Sequence, residues 1–441
     1  MSVNNPESSS TLTQHGNHKR ARITIILAAI VVVVLAIAGT VVGIQVAQHQ
    51  TESPTIQSAS TDGATVRKNG SQLFAPDLPF SLDGVPVTGS TVEVSEGAQP
   101  AQFQNSWIFG GDFSQIGSFP IDADTVFGSS TTDSNNLQAY YAALIGQNGN
   151  TQNIDPNTQS STFYEPQDGT GDGNRIVWRS STLNTAAQTS VDNWRLQTWD
   201  KASDKTVTLG TAAALNGRDD TPATYGEVVP TFNEKNAYFA ANIRNDDTWQ
   251  ETILQYSLTG DSEKPRVIAA GNFPAATKDG VLFASDPAQK NDFRAYAALK
   301  HDDGTKTTTV FTVHSDNNAW GIAGVWAHGD YRAVAFSDGT QTSGNYIGLW
   351  SDDFKTNLGW IHVKSASVVA SMNSDWIVWG SGSQTDNVGM YAFNWQRSEV
   401  KYLGGVQGYS RPTIAADSNT VMIPQYDGTT QAVAFTVGSL D

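Results

Sequence analysis

The chain is 441 residues long, carries 43 acidic and 26 basic side chains for a formal net charge of −17, and contains no cysteine. Without a thiolate, disulfide frameworks, Cys-ligated zinc, iron–sulfur clusters, lipoprotein acylation and thiol nucleophiles are excluded, and the acidic balance argues against nucleic acid, whose phosphates are bound by clustered Lys and Arg. Only 16% of residues are charged while 39 are Gly, 12 Trp, 13 Tyr and 18 Phe, which points to turn-rich, aromatic-rich β structure.

From Ile23 to Ile44 there are 22 consecutive uncharged residues, nearly all Ile, Val, Leu or Ala. A helix of that length is about 33 Å long, enough for a hydrocarbon core of about 30 Å, so residues 23–48 are expected to form a transmembrane helix. A cleaved signal peptide is the alternative. Its apolar region normally runs about 7 to 15 residues before a small-x-small site, however, and Gln45-Val46-Ala47 is a poor one. Lys19, Arg20 and Arg22 sit directly before the span and the next basic residues are Arg67 and Lys68. The positive-inside tendency therefore keeps the tail, residues 1–22, in the cytoplasm and sends the rest outward as a single-pass, extracytoplasmic domain of the cell envelope. The tail is too short and polar to bury a core.

Residues 49–105 read as an extracytoplasmic linker and edge segment. Up to about residue 72 they are rich in Ser, Thr and Gln, as in a flexible spacer. Beyond that, Leu73, Phe74 and Phe80 are expected to pack on the domain edge, with short strands at Val85–Val87 and Thr91–Val94.

The segment 106–441 repeats itself. Apolar runs centred on a bulky residue recur as TVFGSS (Phe127), RIVWRSS (Trp178), AYFAAN (Phe239), VLFASD (Phe283), AVAFSD (Phe336), WIVWGS (Trp379) and VMIPQY (Ile423), spaced 43 to 61 residues apart. Each is followed by a second run carrying Tyr141, Trp199, Tyr256, Tyr296, Trp350, Phe393 or Phe435, and several units end in Leu-Gly, at Leu209-Gly210, Leu358-Gly359 and Leu403-Gly404. A period of 40 to 50 residues with several strands marks a β-propeller blade, whose sheet is stable only against its neighbours. The fold expected is therefore all-β, a propeller of seven blades preceded by one transmembrane helix. Six blades, with 114–173 as an insertion, is the rival. The last repeat lacks a fourth strand of its own, and Ser106–Phe109 is expected to supply it and close the ring.

At the last repeat, SRPTIAADSNTVMIPQY resembles the TolB-like β-propeller blade. Ser410, Pro412, Ile414, Asp417, Ser418 and Val421 fall on that pattern, with Ile414 in place of the usual aromatic and Ser418 in place of the usual Gly. The resemblance implies a binding platform, or a propeller attached to a hydrolase domain, and no second domain is evident. A hydrolase would also need a Gly-x-Ser-x-Gly elbow, and Gly380-Ser381-Gly382-Ser383 has the wrong spacing.

His301, His314, His328 and His362 have no metal-motif spacing and read as surface or strand-edge residues. QDGTGDGN, with Asp168 and Asp172, lacks the ligand spacing of a calcium loop and reads as a polar turn. No metal or cofactor is expected. The loops between paired runs all emerge on one face, and each holds or adjoins an aspartate: Asp133, Asp192, Asp246 with Asp247, Asp286 with Asp292, Asp338, Asp386 and Asp427. Aspartate is favoured in turns on its own account. The functional alternative is a carboxylate ring that draws in a basic partner, a cation or a cationic wall component. Trp178, Trp199, Trp350 and Trp379 sit on repeat anchors and read as core, whereas Trp249, Trp320, Trp326, Trp360 and Trp395 are the better surface candidates for stacking on sugar rings, although packing is the favoured reading for these too. The expected function is a non-enzymatic, membrane-anchored binding or scaffold module for an envelope protein or wall glycan. The alternative is a glycan-binding protein or glycoside hydrolase using two loop carboxylates as its acid and base or nucleophile.

Overall fold

The computed structural model describes residues 65–66, 72–74, 77–93 and 100–441, less the internal stretches 132–139, 156–164, 183–191, 219–220, 225–228, 247, 261–263, 291–292, 317–318, 341–342, 364, 366–367, 382–386, 408–410 and 427–432. The expected tail and span lie outside these residues. Among the described residues no helix is long and apolar enough to cross a membrane.

The described chain is an all-β propeller. Five four-stranded antiparallel sheets stand as separate blades: 115–153, 165–211, 231–270, 368–407, and a closing blade made of 413–439 with Gln104–Gly110. The expectation of seven or six separate blades is corrected, because the two repeats within 272–363 are merged into one twelve-stranded sheet. Its halves, 272–314 and 321–363, are each a four-stranded meander, and they join through a single bridge between Tyr296 and Ile322. The bridge forms because the third strand of one half, Phe293–Asp302, reaches the first strand of the other, Gly321–His328. No spacing of apolar residues encodes that reach. First strands of successive units touch in chain order, and that of the closing blade touches Gln115–Pro120, completing the circuit.

Every first anchor lies on the second strand of its unit and every second anchor on the third. Phe127, Trp178, Phe283 and Phe336 have no exposed surface, Phe239 and Trp379 are 1% exposed, and Ile423 is 3% exposed. The alternation of a strand explains why both faces are apolar. On Arg175–Thr182, Ile176 and Trp178 pack with Phe119 and Phe127 of the preceding blade, while Val177 packs with Phe239 of the following one. Bulky aromatics thus act as wedges between sheets.

The recurrent Leu-Gly also has a structural origin. In the fourth strands the register skips Leu209, Leu358 and Leu403, each the extra residue of a β-bulge. Bulges add twist, which the blades need to fan around the axis. The glycine that follows is required at two of these sites by φ values of 152° at Gly359 and 123° at Gly404, and at Gly210 by Tyr256, which a Cβ would meet at 2.4 Å.

Closure follows the expected scheme. Gln104–Gly110 pairs antiparallel with Val433–Ser439, and Trp107 faces Val437 while Phe109 faces Phe435. Ahead of it, residues 77–93 pack on the edge of the twelve-stranded sheet, with Thr91–Glu93 a strand as expected. Val85–Val87 is not a strand, since Pro86 has no N–H for a ladder, and Ser81–Leu82 pairs instead. The described helix is the single turn Ala212–Asn216, capped by Thr211, whose hydroxyl accepts from the Ala214 N–H, and ended by Gly217 at φ 69°.

Phe127 has ring centroids of Phe119 and Trp178 at 5.1 and 5.6 Å. Phe127→Ala is expected to cost about 3–5 kcal/mol in urea denaturation. A loss below about 1 kcal/mol would show that this seam repacks freely and that the wedge account is wrong.

Candidate functional site

In each antiparallel unit the second strand ends where the third begins, and the first strand starts at that same rim. In the 165–211 blade, Ser181 pairs with Trp194 on one side and Glu165 on the other. The loops singled out in the sequence therefore share one face, together with the connections between units. First-to-second hairpins and third-to-fourth turns occupy the opposite face.

Of the candidate aspartates, Asp133, Asp386 and Asp427 lie outside the described residues, as do Asp247 and Asp292. Of the other four, three are engaged locally. Asp246, at φ 53°, is exposed at a hairpin turn, and its carbonyl accepts from Arg244 Nε at 2.9 Å. Asp286, at φ 60°, is exposed and pairs with Lys300 at 3.0 Å. Asp338 folds back on the Thr340 N–H and hydroxyl at 2.9 and 2.8 Å, the usual turn-stabilising use of this side chain.

Asp192 is different. It is 6% exposed, accepts from the Ser181 hydroxyl at 2.5 Å, and is bonded by Arg179 Nη1. Arg179 in turn reaches Asp168 at 3.2 Å, and Asp168 accepts from Arg411 Nη1 at 2.8 Å. Two cations and two anions thus form one buried chain. Asp168 was read as part of a polar turn; it lies instead on the inner strand Glu165–Gly171, where a register shift between Pro166 and Gly169 accommodates it, and only Asp172 belongs to the turn. Arg411 comes from just before the first strand of the closing blade, so its bond to Asp168 passes the intervening 115–153 blade at the inner rim. Burial works against the Arg179 charge, but Asp192 and Asp168 outweigh it and hold the guanidinium above its ordinary value. A second pair, Arg195 with Asp155, sits at 4.0 Å on the other side of the same blade. No local motif announces these partners; the one available signal was an arginine beside a tryptophan on two successive strands, Arg179 next to Trp178 and Arg195 next to Trp194.

The connection after the helix is drawn into the same cluster. Asp192 N–H donates to Thr221 O at 2.7 Å, while Asn242 Nδ2 donates to the carbonyls of Pro222 and Ala223, both at 3.0 Å. The arrangement holds loops in place. Its carboxylates are each bound by a guanidinium, Asp192 by Arg179 and Asp168 by Arg179 and Arg411.

On the opposite face the turns are acidic as well. Asp122 and Asp172 cap their hairpins, Asn233 and Asn373 do the same where asparagine replaces them, and Asp303 and Asp353 cap third-to-fourth turns. Hydrogen bonds from Thr305 and Lys306 hold the Asp303 carboxyl well below the usual range, and those from Lys355 and Ser351 do so for Asp353. His328 is half-buried at this face, and burial lowers its pKa against the opposing pull of Asp417. His301 bonds Thr277 Oγ1 at 3.2 Å, His314 meets Asp83 at 2.6 Å, and His362 stacks on Tyr346 at 4.3 Å. Among the described residues no group of three or more His, Asp or Glu is placed to hold a metal ion.

The twelve indoles are all described. Ten are buried, Trp320, Trp360 and Trp395 among them, and Trp249 and Trp326 are half-buried. Of the five less periodic indoles three are therefore packed, the reading favoured for them, and two keep part of their surface.

No protein-family model matches the sequence, and no curated protein does. Among solved structures, the chain is similar to an oligogalacturonate lyase in complex with manganese, at 11% identity, 85% of this chain, 94% of that one and a TM-score of 0.52. It is also similar to an oligogalacturonate lyase from Vibrio parahaemolyticus, at 10% identity, 78% and 99% coverage and a TM-score of 0.49. A third is the β-propeller domain of the trilobed protease from Pyrococcus furiosus, at 10% identity, 73% and 94% coverage and a TM-score of 0.44. At these identities the likeness is one of fold.

Arg179→Met is expected to cost about 3–5 kcal/mol, because it leaves Asp168 and Asp192 buried without their shared cation. Denaturation of the triple variant with Asp168→Asn and Asp192→Asn should recover part of that loss; no recovery would place the effect in packing. For His328 the folded pKa lies below the unfolded value of about 6.5, so the unfolded chain binds more protons as pH falls through that value, and stability drops between there and the lowered folded pKa. His328→Asn should give a shallower decline in melting temperature from pH 7 to pH 5.5, and an unchanged slope would remove His328 from the account.

Proposed function

We propose that the chain is a membrane-anchored extracytoplasmic propeller that serves as a non-enzymatic binding or scaffold module in the cell envelope. The anchor is the apolar run within residues 23–48, with the basic flank Lys19, Arg20 and Arg22 keeping the first 22 residues inside. We further infer that the fold is of the TolB-like kind.

The observation that carries the reading is that, among the described residues, most of the functional-looking side chains are committed to structure. Ten of twelve tryptophans are buried, so the flat indole faces that would stack on sugars are spent between sheets. Asp192 is clamped by Arg179 and Ser181, and Asp338 caps its own turn. On the loop face the described Asp246 and Asp286 are exposed and add negative potential, which favours a protein with a basic surface.

In-cell crosslinking of the tagged full-length protein, with the span alone as control, tests this. Enrichment of one discrete envelope protein is the expected result, and capture of nothing beyond the control overturns it. The triple variant Asp246→Asn, Asp286→Asn, Asp338→Asn should bind that protein on the order of tenfold more weakly, since exposed charge pairs contribute about 0.2–1 kcal/mol each, and its binding should depend less on salt. Unchanged affinity with unchanged salt dependence would exclude the loop carboxylates.

A further inference from the structure

The described parts of residues 78–110 run as a belt around the outside of the ring. Ser81–Leu82 pairs with His314 and Val313 on the outer strand of the 272–314 half, Thr91–Glu93 runs parallel to Asn357–Val363 on that of the 321–363 half, Ala101 donates to Tyr402 O of the next blade at 2.7 Å, and Gln104–Gly110 completes the last. Between the two halves the belt enters a seam. Phe80 is 7% exposed there, with ring centroids at 4.7 Å from Phe336, 5.5 Å from Trp320, and 6.1 Å from both Tyr346 and Trp360. Leu78 and Leu82 pack on the same cluster two residues to either side, the spacing by which an extended segment presents one face. Trp350 Nε1 donates to Pro86 O at 2.9 Å, and the Gly89 N–H donates to Asn357 Oδ1 at 2.6 Å.

The two ends of the belt are held differently. The closing strand exchanges main-chain bonds along most of its length, whereas residues 78–93 have only two paired positions on one half and three on the other, flanked by bonds from Asp83 N–H to Thr312 O and from Trp360 N–H to Ser90 O, with the Phe80, Leu78 and Leu82 side chains in the seam between them. An extended segment added to sheet edges, with one aromatic side chain in a deep pocket and apolar neighbours at alternate positions, is the geometry of peptide recognition by strand addition. We propose that the seam between 272–314 and 321–363 is a peptide-binding site, filled in cis by residues 78–93, and that it takes in trans an extended peptide carrying an aromatic residue flanked by apolar residues two positions away. The segment is a releasable clasp, and the pocket of Phe336, Trp320, Tyr346 and Trp360 is its specificity element.

The test uses the full-length chain with a specific protease site replacing residues 94–99, and a fluorescent peptide of residues 77–93 as the probe. The cut chain, checked as folded by circular dichroism, should bind the peptide saturably once its own N-terminal piece is competed away. The uncut chain should bind at least on the order of 100-fold more weakly, because the tethered segment competes at an effective concentration of about millimolar. A peptide with Phe80→Ala should lose on the order of 100-fold. A second arm needs no cleavage: the uncut chain carrying Phe80→Ala should bind the wild-type peptide. The proposal is overturned if neither the cut chain nor the uncut Phe80→Ala chain binds the peptide, if cutting unfolds the domain, or if cut and uncut chains bind it equally.

Discussion

A four-stranded sheet with bulky apolar side chains on both faces has no means of covering itself, so nothing in this molecule is stable until the ring closes. Closure is made at two radii. On the outside, Gln104–Gly110 completes the sheet begun by the last repeat, and Trp107 and Phe109 enter the same apolar cluster as Val126 and Met422. On the inside, Thr413 Oγ1 donates to Ser118 O at 3.3 Å and Arg411 reaches past the first blade to Asp168. The outer join is apolar and repetitive. The inner one is polar and tolerates no displacement, because a guanidinium buried with two carboxylates loses its compensation if any member moves.

The aromatic anchors were legible because they answer a local demand: each second strand needs a residue large enough to fill the wedge to the next blade, and that demand recurs with the repeat. Leu209, Leu358 and Leu403 were legible for the same reason, as bulge residues at a fixed place in the fourth strand. The merging of 272–314 with 321–363 was not. It depends on one bridge from Tyr296 to Ile322, which leaves no mark in the hydrophobic pattern. Asp168 was misread for an instructive reason. Asp and Gly favour turns, so a string with two of the former and three of the latter reads as one, yet its inner half is a strand whose irregular register accommodates a carboxylate. Its partner Arg411 is 243 residues away, and only the ring brings them together.

The acidic excess has a related explanation. Propeller blades demand tight turns at both faces, and aspartate supplies the acceptor that each turn needs for its free N–H groups, as at Asp122, Asp172, Asp303, Asp338 and Asp353. A regular series of loop aspartates is thus produced by the repeat itself. Its electrostatic consequence is real all the same, since these carboxylates add to the field around the domain. Negative potential is a by-product of turn chemistry here, available to a binding surface without being confined to one site.

The path of residues 78–110 gives the ring a direction. The chain does not enter at the closing blade and stop; it first engages the merged sheet, on the far side of the circuit, and then passes the next blade before pairing in the last. If the N-terminus is held at a membrane, load from that side arrives at the seam around Phe80 before it reaches the closing strand. Behind the pairing of Gln72–Phe74 with Thr91–Glu93, the contacts around Phe80 are few main-chain bonds backed by an aromatic pocket, and those met last are a full strand pairing. Such an order protects closure, because the part of the belt that gives way at least cost is the part whose loss leaves the closing strand paired.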